Sequence, residues 1–140
     1  MEIKIFKTIP EEAKRLRQEV FINEQGFEAE FDETDSFAAH IVLYADGTAA
    51  GVCRVFLDPE TRRMTLGRLA VGKSQRGKGL GTLILKAAED YAKSEGGAEL
   101  WLHSQRQAEK FYAGAGYIPV GETDYDEGCP HIWMMKTLDL

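Results

Sequence analysis

Basic residues, cysteines and long apolar runs are all scarce in this chain, and each shortage closes off a class of protein. Seventeen Lys and Arg stand against 23 Asp and Glu, a formal net charge of -6. General nucleic-acid binding needs a basic face to meet the phosphates, so this balance excludes it. The two cysteines, Cys53 and Cys129, lie far apart without metal-ligand spacing. They predict reduced thiols in a cytoplasmic protein rather than a disulfide, and Cys129, beside Pro130, is the more reactive of the two. No residue spacing announces a metal site. No apolar run approaches the roughly 20 residues that span a bilayer, and the charged start Met1–Phe6 is too short for a secretory signal. A membrane partner is therefore not expected. Repeats, low-complexity tracts and linkers are also missing, which predicts one domain over residues 1–140. With 44% hydrophobic residues, the chain has enough apolar surface for a single buried core.

What is present alternates between strand and helix patterns. Ile3 to Lys7 reads as a strand, and Pro10 opens a helix whose apolar stripe is Ala13, Leu16 and Val20, closed near Gly26. Residues 27–37 form a polar, acidic connection. Asp46-Gly47 between two apolar runs, 40–44 and 49–56, is a hairpin signal. Strands are predicted at Met64–Val71 and Ala98–His103, a helix at Gln105–Ala115, and a terminal strand pair at Tyr117–Glu122 and His131–Lys136. The short turns of the middle make a meander, so the sheet cannot be purely parallel. The predicted class is α/β, with a mixed, twisted sheet covered by helices on both faces.

Between the strand 64–71 and the next amphipathic helix lies Gln75-Arg76-Gly77-Lys78-Gly79-Leu80-Gly81. Glycine permits a tight path that aims several N–H groups at one anion, and the helix N-terminus adds its positive dipole. Lys73, Arg76, Lys78 and Lys86 supply local positive charge that the acidic chain otherwise lacks. A Gly-x-x-x-x-Gly-Lys-Ser pattern does occur at Gly67–Ser74, but it lies over the predicted strand 64–71 rather than on the turn that opens the helix, so the string itself is not a P-loop. Its glycine spacing also differs from a dinucleotide fingerprint. What remains is Arg-x-x-Gly-x-Gly, a candidate cradle for a diphosphate.

That motif, together with the block from Gln105 through Phe111-Tyr112 to Gly116-Tyr117, resembles the GCN5-related N-acetyltransferase (GNAT) family. The segment from Arg17 to Gln25 is similar to its small ElaA/YjcF-like branch. The resemblance covers nearly the whole chain and implies the acyl-CoA N-acyltransferase fold, in which two parallel strands splay to admit the pantetheine arm of the co-substrate, acetyl-CoA. Those strands would be 64–71 and 98–103. It also implies that backbone groups of Leu69, Ala70 and Val71 pair with the pantetheine amides, with an N–H near Val71 meeting the thioester carbonyl. Arg76, Gly77, Lys78, Gly79, Leu80, Gly81 and Thr82 would hold the diphosphate. Gln105, where the family often has Asn, would bond the cofactor arm.

Acetyl transfer to a primary amine also needs an acid for the thiolate and a base for the ammonium. The matched block assigns the acid to Tyr112. Candidates for the base are Glu24, Asp35, His40, His103, Glu122 and His131, with Glu122 preferred at the end of its predicted strand. Residues 24–35 carry six carboxylates without Lys or Arg, and 122–127 carry four more. They form either a solvated face or a lure for a cationic acceptor such as a small amine, polyamine or lysine side chain. Phe27, Phe31 and Phe37 would line the acceptor's floor. The reading is an acetyl-CoA-dependent N-acetyltransferase, monomer or homodimer, acting by direct attack in a ternary complex. The alternative is a module that binds or senses acyl-CoA without turnover.

Overall fold

Alternation of apolar residues along the central strands builds a core on each face of a single sheet. The computed structural model describes residues 1–28 and 30–138. Its strands are β1 (Glu2–Phe6), β2 (Ala39–Ala45), β3 (Thr48–Leu57), β4 (Met64–Val71), β5 (Glu99–Gln105), β6 (Ile118–Asp126) and β7 (Cys129–Thr137). They form one mixed sheet in the order β1-β2-β3-β4-β5-β7-β6, antiparallel except where β4 meets β5. In β2, Ile41 and Leu43 face the helices α2 (Leu80–Ser94) and α3 (Glu109–Gly114), whereas Val42 faces α1 (Glu11–Arg17). Each such aliphatic side chain contributes roughly 1.5–3 kcal/mol on full burial.

Local signals place most of these elements. Asp46 and Gly47 both have positive φ, 53° and 78°, as a two-residue hairpin turn requires. Gly26, at φ 81°, closes the first helical segment where expected. Pro10 is the residue before that segment rather than within it, and its carbonyl accepts from Ala13 and Lys14 N–H.

Three expectations are corrected. The first helix does not run straight to Gly26: from Gln18 to Glu24 it widens into π-helical turns, which carry Glu24 and Gln25 toward the cradle. The predicted helix Gln105–Ala115 is shorter. Gln105 ends β5, Arg106–Ala108 is a 3-10 turn, and only Glu109–Gly114 is α-helical. The acidic segment after Glu122 is not a loop, because β6 continues to Asp126 and pairs with β7 beyond a bulge at Gly121. Among the described residues, no helix is long and apolar enough to cross a membrane.

Candidate active site

The parallel neighbours β4 and β5 pair only at Thr65–Trp101 and Leu66–Leu102. Beyond that point the two strands part. A cavity of about 700 Å³ opens there, walled by Leu66 to Leu69 of β4 and Leu102 to Gln105 of β5. A bulge sits on the β4 wall: Arg68 and Leu69 stand against Cys53 alone, and Arg68 takes φ 53°. Backbone N–H and C=O groups left without a partner strand form an edge that an extended amide chain can join.

At the end of β4 the chain enters the glycine turn. Gly77 and Gly79 have φ 81° and 77°, a region where a Cβ would be strained, and Gly79 caps α2 in the left-handed conformation. The first turn of α2 contains no acidic residue, so its exposed N–H groups and dipole favour an anion. Gly81 packs beneath the Phe111 ring, whose Cζ would lie 3.2 Å from an added Cβ. The cradle and the matched block near Tyr112 are thus one contiguous surface.

Arg76 is already engaged. Its two terminal nitrogens each donate to a Glu24 oxygen at 2.7 Å, and Nε donates to the Val71 carbonyl at 3.0 Å. Gln105 donates to Gln25 Oε1 at 2.8 Å and accepts from Gln107 at 2.7 Å. The segment 24–28 therefore bridges the tips of both parted strands. It also lines a second cavity of about 730 Å³ with Gln105, Gln107, Glu127 and Cys129. Lys86 is paired with Asp90 at 3.2 Å, and Lys78 reaches Gln75.

Tyr112 lines the cavity between the strands, packed edge-on against Phe111 and Tyr117. Burial, with Cys53 nearby, pushes its phenol well above the ordinary range. It keeps its proton throughout the neutral range, so its hydroxyl is available to donate. Tyr117 is structural: its hydroxyl donates to Glu89, which also holds Lys136. Cys53 is fully buried, and burial pushes its thiol up as well, whereas Cys129 is half-buried at the second cavity.

The acidic connection is mostly not a solvated face. Arg17 donates to Glu30 at 2.9 Å and to Asp35 at 2.8 Å; Arg54 meets Asp32 at 2.7 Å and Asp35 at 3.0 Å; Arg68 reaches Glu30 at 2.7 Å. Burial raises the Asp35 carboxyl, but the hydrogen bonds and charge of Arg17, with Arg54, outweigh it and bring the pKa to about 2. For Glu30 burial wins, and its carboxyl is raised despite Arg17 and Arg68. These arginines come from α1, β3 and β4, which is why a count within the segment misses them. With Glu24 on Arg76, four of its six carboxylates are neutralised. Glu28, Asp126 and Glu127 line the cavities without a cationic partner among the described residues. Of the three phenylalanines, Phe27 lines them too, whereas Phe31 stacks on Arg17 and Phe37 edges onto Phe56.

The base candidates separate by position. Glu122 is exposed beside the β6 bulge and lines neither cavity. His40 is buried, with Nε2 against the Asp35 carbonyl at 2.9 Å, and burial lowers its pKa. His103 and His131 face the cavity together, their rings stacked at 4.7 Å and 27°, with His103 also stacked on Trp133. One ligand atom from each of His103, Asp126 and His131 falls within a 4.8 Å group, which no sequence spacing foretold. Within this grouping His103 Nε2 also lies 2.6 Å from Asp124 Oδ1, and His131 Nδ1 lies 2.8 Å from the Cys129 carbonyl.

Comparison with known proteins agrees with this geometry. Residues 7–138 match the family described as Acetyltransferase (GNAT) domain. The N-acetyltransferase YjcF of Bacillus subtilis is 36% identical over 124 residues, covering 86% of this chain and 87% of YjcF. A crystal structure assigned as an N-acetyltransferase from Lactobacillus plantarum superposes with a TM-score of 0.87 at 30% identity, covering 98% of this chain and 97% of that one. The same fold occurs in an aminoglycoside 6'-N-acetyltransferase complexed with coenzyme A, with a TM-score of 0.77 at 18% identity over 98% and 97% of the two chains.

Proposed function

The chain belongs to the acetyltransferase (GNAT) domain family, a family of acyl-CoA-dependent acyltransferases, and from that premise we propose that it moves an acetyl group from acetyl-CoA to a cationic primary amine. The observation that carries this reading is the parting of β4 and β5 beside the glycine turn, with Tyr112 in the wall of the gap. Leu69, Ala70 and Val71 offer the backbone edge, and an N–H near Val71 meets the carbonyl oxygen as it gains charge. The turn from Arg76 to Thr82 holds the diphosphate through N–H groups and the α2 dipole, and Gln105 positions the arm. Tyr112 donates to the departing sulfur.

Glu28, Asp126 and Glu127 favour an acceptor that arrives positively charged. Of the ten acidic residues in 24–35 and 122–127, five are held by arginines or by His103 and so are not free to attract an acceptor. The test is thiol release from acetyl-CoA with a panel of small amines, polyamines and lysine peptides at several salt concentrations. A cationic acceptor should show a KM that rises with ionic strength, while a neutral amine's KM stays constant. Absence of coenzyme A binding by calorimetry at millimolar ligand would reject the proposal.

A further inference from the structure

We propose that His103 takes the proton from the incoming ammonium and that Asp124 is its positioning residue. The inference rests on the acyl-transfer reading and supplies its missing base. His103 Nε2 lies 2.6 Å from Asp124 Oδ1. A carboxylate accepts, so Nε2 carries the hydrogen and Nδ1 carries the lone pair. The ring plane is held by stacks at 4.7 Å on both His131 and Trp133.

His131 has the opposite tautomer. Its Nδ1 lies 2.8 Å from the Cys129 carbonyl, which leaves Nε2 free. Position decides between the two rings. His103 is on β5, which forms one wall of the gap, whereas His131 is on β7, one strand further away. The other charged groups lining the cavity around them are Asp126 and Glu127 of the β6–β7 hairpin, Glu28, Glu30 and Asp32 of the connection, and Arg54 and Arg68 of β3 and β4. Of these, both arginines, Glu30 and Asp32 are held in ion pairs. Glu24 and Asp35, the remaining carboxylate candidates, are bound by arginines as well.

The protons balance as follows. One proton of the ammonium passes to Nδ1 of His103, and the freed nitrogen pair forms the carbon–nitrogen bond as the carbon–sulfur bond breaks. Tyr112 gives its hydroxyl proton to the sulfur and regains one from the new amide nitrogen. His103 then releases its proton to water.

His103→Gln, assayed with a cationic amine that the wild type acetylates, should lower kcat about 100-fold at neutral pH while leaving coenzyme A affinity within about twofold. The deficit should shrink as pH rises, because more amine then arrives neutral without help. Asp124→Asn should lower kcat about tenfold, with the same narrowing at high pH and an unchanged KM. It serves as the second variant if His103→Gln does not fold. A loss of equal size at every pH in these variants overturns the assignment. So does a His131→Asn variant that alone reproduces the pH-dependent loss. An active wild type with an unimpaired His103→Gln rejects this inference only; a wild type that binds coenzyme A yet acetylates no amine rejects the acyl-transfer reading with it.

Discussion

Tyr112 shows how far one side chain can be read before the fold is known. Its place after Phe111 in the matched block singled it out, and the tertiary structure puts it in the wall of the gap with a phenol that burial keeps protonated. Tyr112→Phe should reduce kcat about 100-fold and leave the coenzyme A dissociation constant within about twofold, by stopped assays and calorimetry respectively. A purely coenzyme-binding module would show no turnover to lose. His103 gave no comparable signal. Its partner Asp124 is 21 positions away and reaches it only because β6 pairs with β7 and β7 with β5. Nor did the preference for Glu122 have a positional basis in sequence: that carboxylate lies exposed beside the bulge at Gly121, outside both cavities.

At the scale of elements, the end of the first helical segment and the cradle are tied by Glu24 and Arg76. Their side chains are 40% and 38% exposed for Arg76 and Glu24, so the pair adds little stability. Under the proposed function its consequence is competition, because the guanidinium that would meet a diphosphate is held by a carboxylate. Glu24→Gln should therefore tighten coenzyme A binding by roughly two- to fivefold, an effect that weakens in high salt. A looser complex would mean that Glu24 orients Arg76 rather than competes for it. The buried pair of Arg17 and Glu30 is another matter, with both side chains 1% exposed. Arg17→Ala leaves Glu30 with Arg68 alone and should cost about 3 kcal/mol or more in denaturant unfolding. The sequence marked the connection as acidic but not as neutralised, since the matching arginines belong to three different elements.

For the whole molecule, that ion network links stability to acid. Asp35, lowered to about 2, contributes stability that is complete above its unfolded value and lost as pH falls through the folded one. The contribution is on the order of 2 kcal/mol, and the window runs from about pH 4 to pH 2. Glu30, raised by burial, acts in the opposite sense: its part of the stability declines as pH rises past the ordinary carboxylate range. Thermal midpoints should fall across the acid window in the wild type and fall less steeply in Asp35→Asn. Equal slopes would remove Asp35 from the account.

Order along the chain was enough to establish the alternation of elements, the Asp46-Gly47 turn and the glycine cradle before α2. Each of these depends on residues within a few positions of one another, where backbone preference and side-chain period act directly. The parting of β4 from β5, the arginines that cancel the acidic connection and the pairing of His103 with Asp124 were settled only in three dimensions. They arise from strands and loops far apart in sequence, and the charge balance of a buried site depends on whatever the sheet brings beside it.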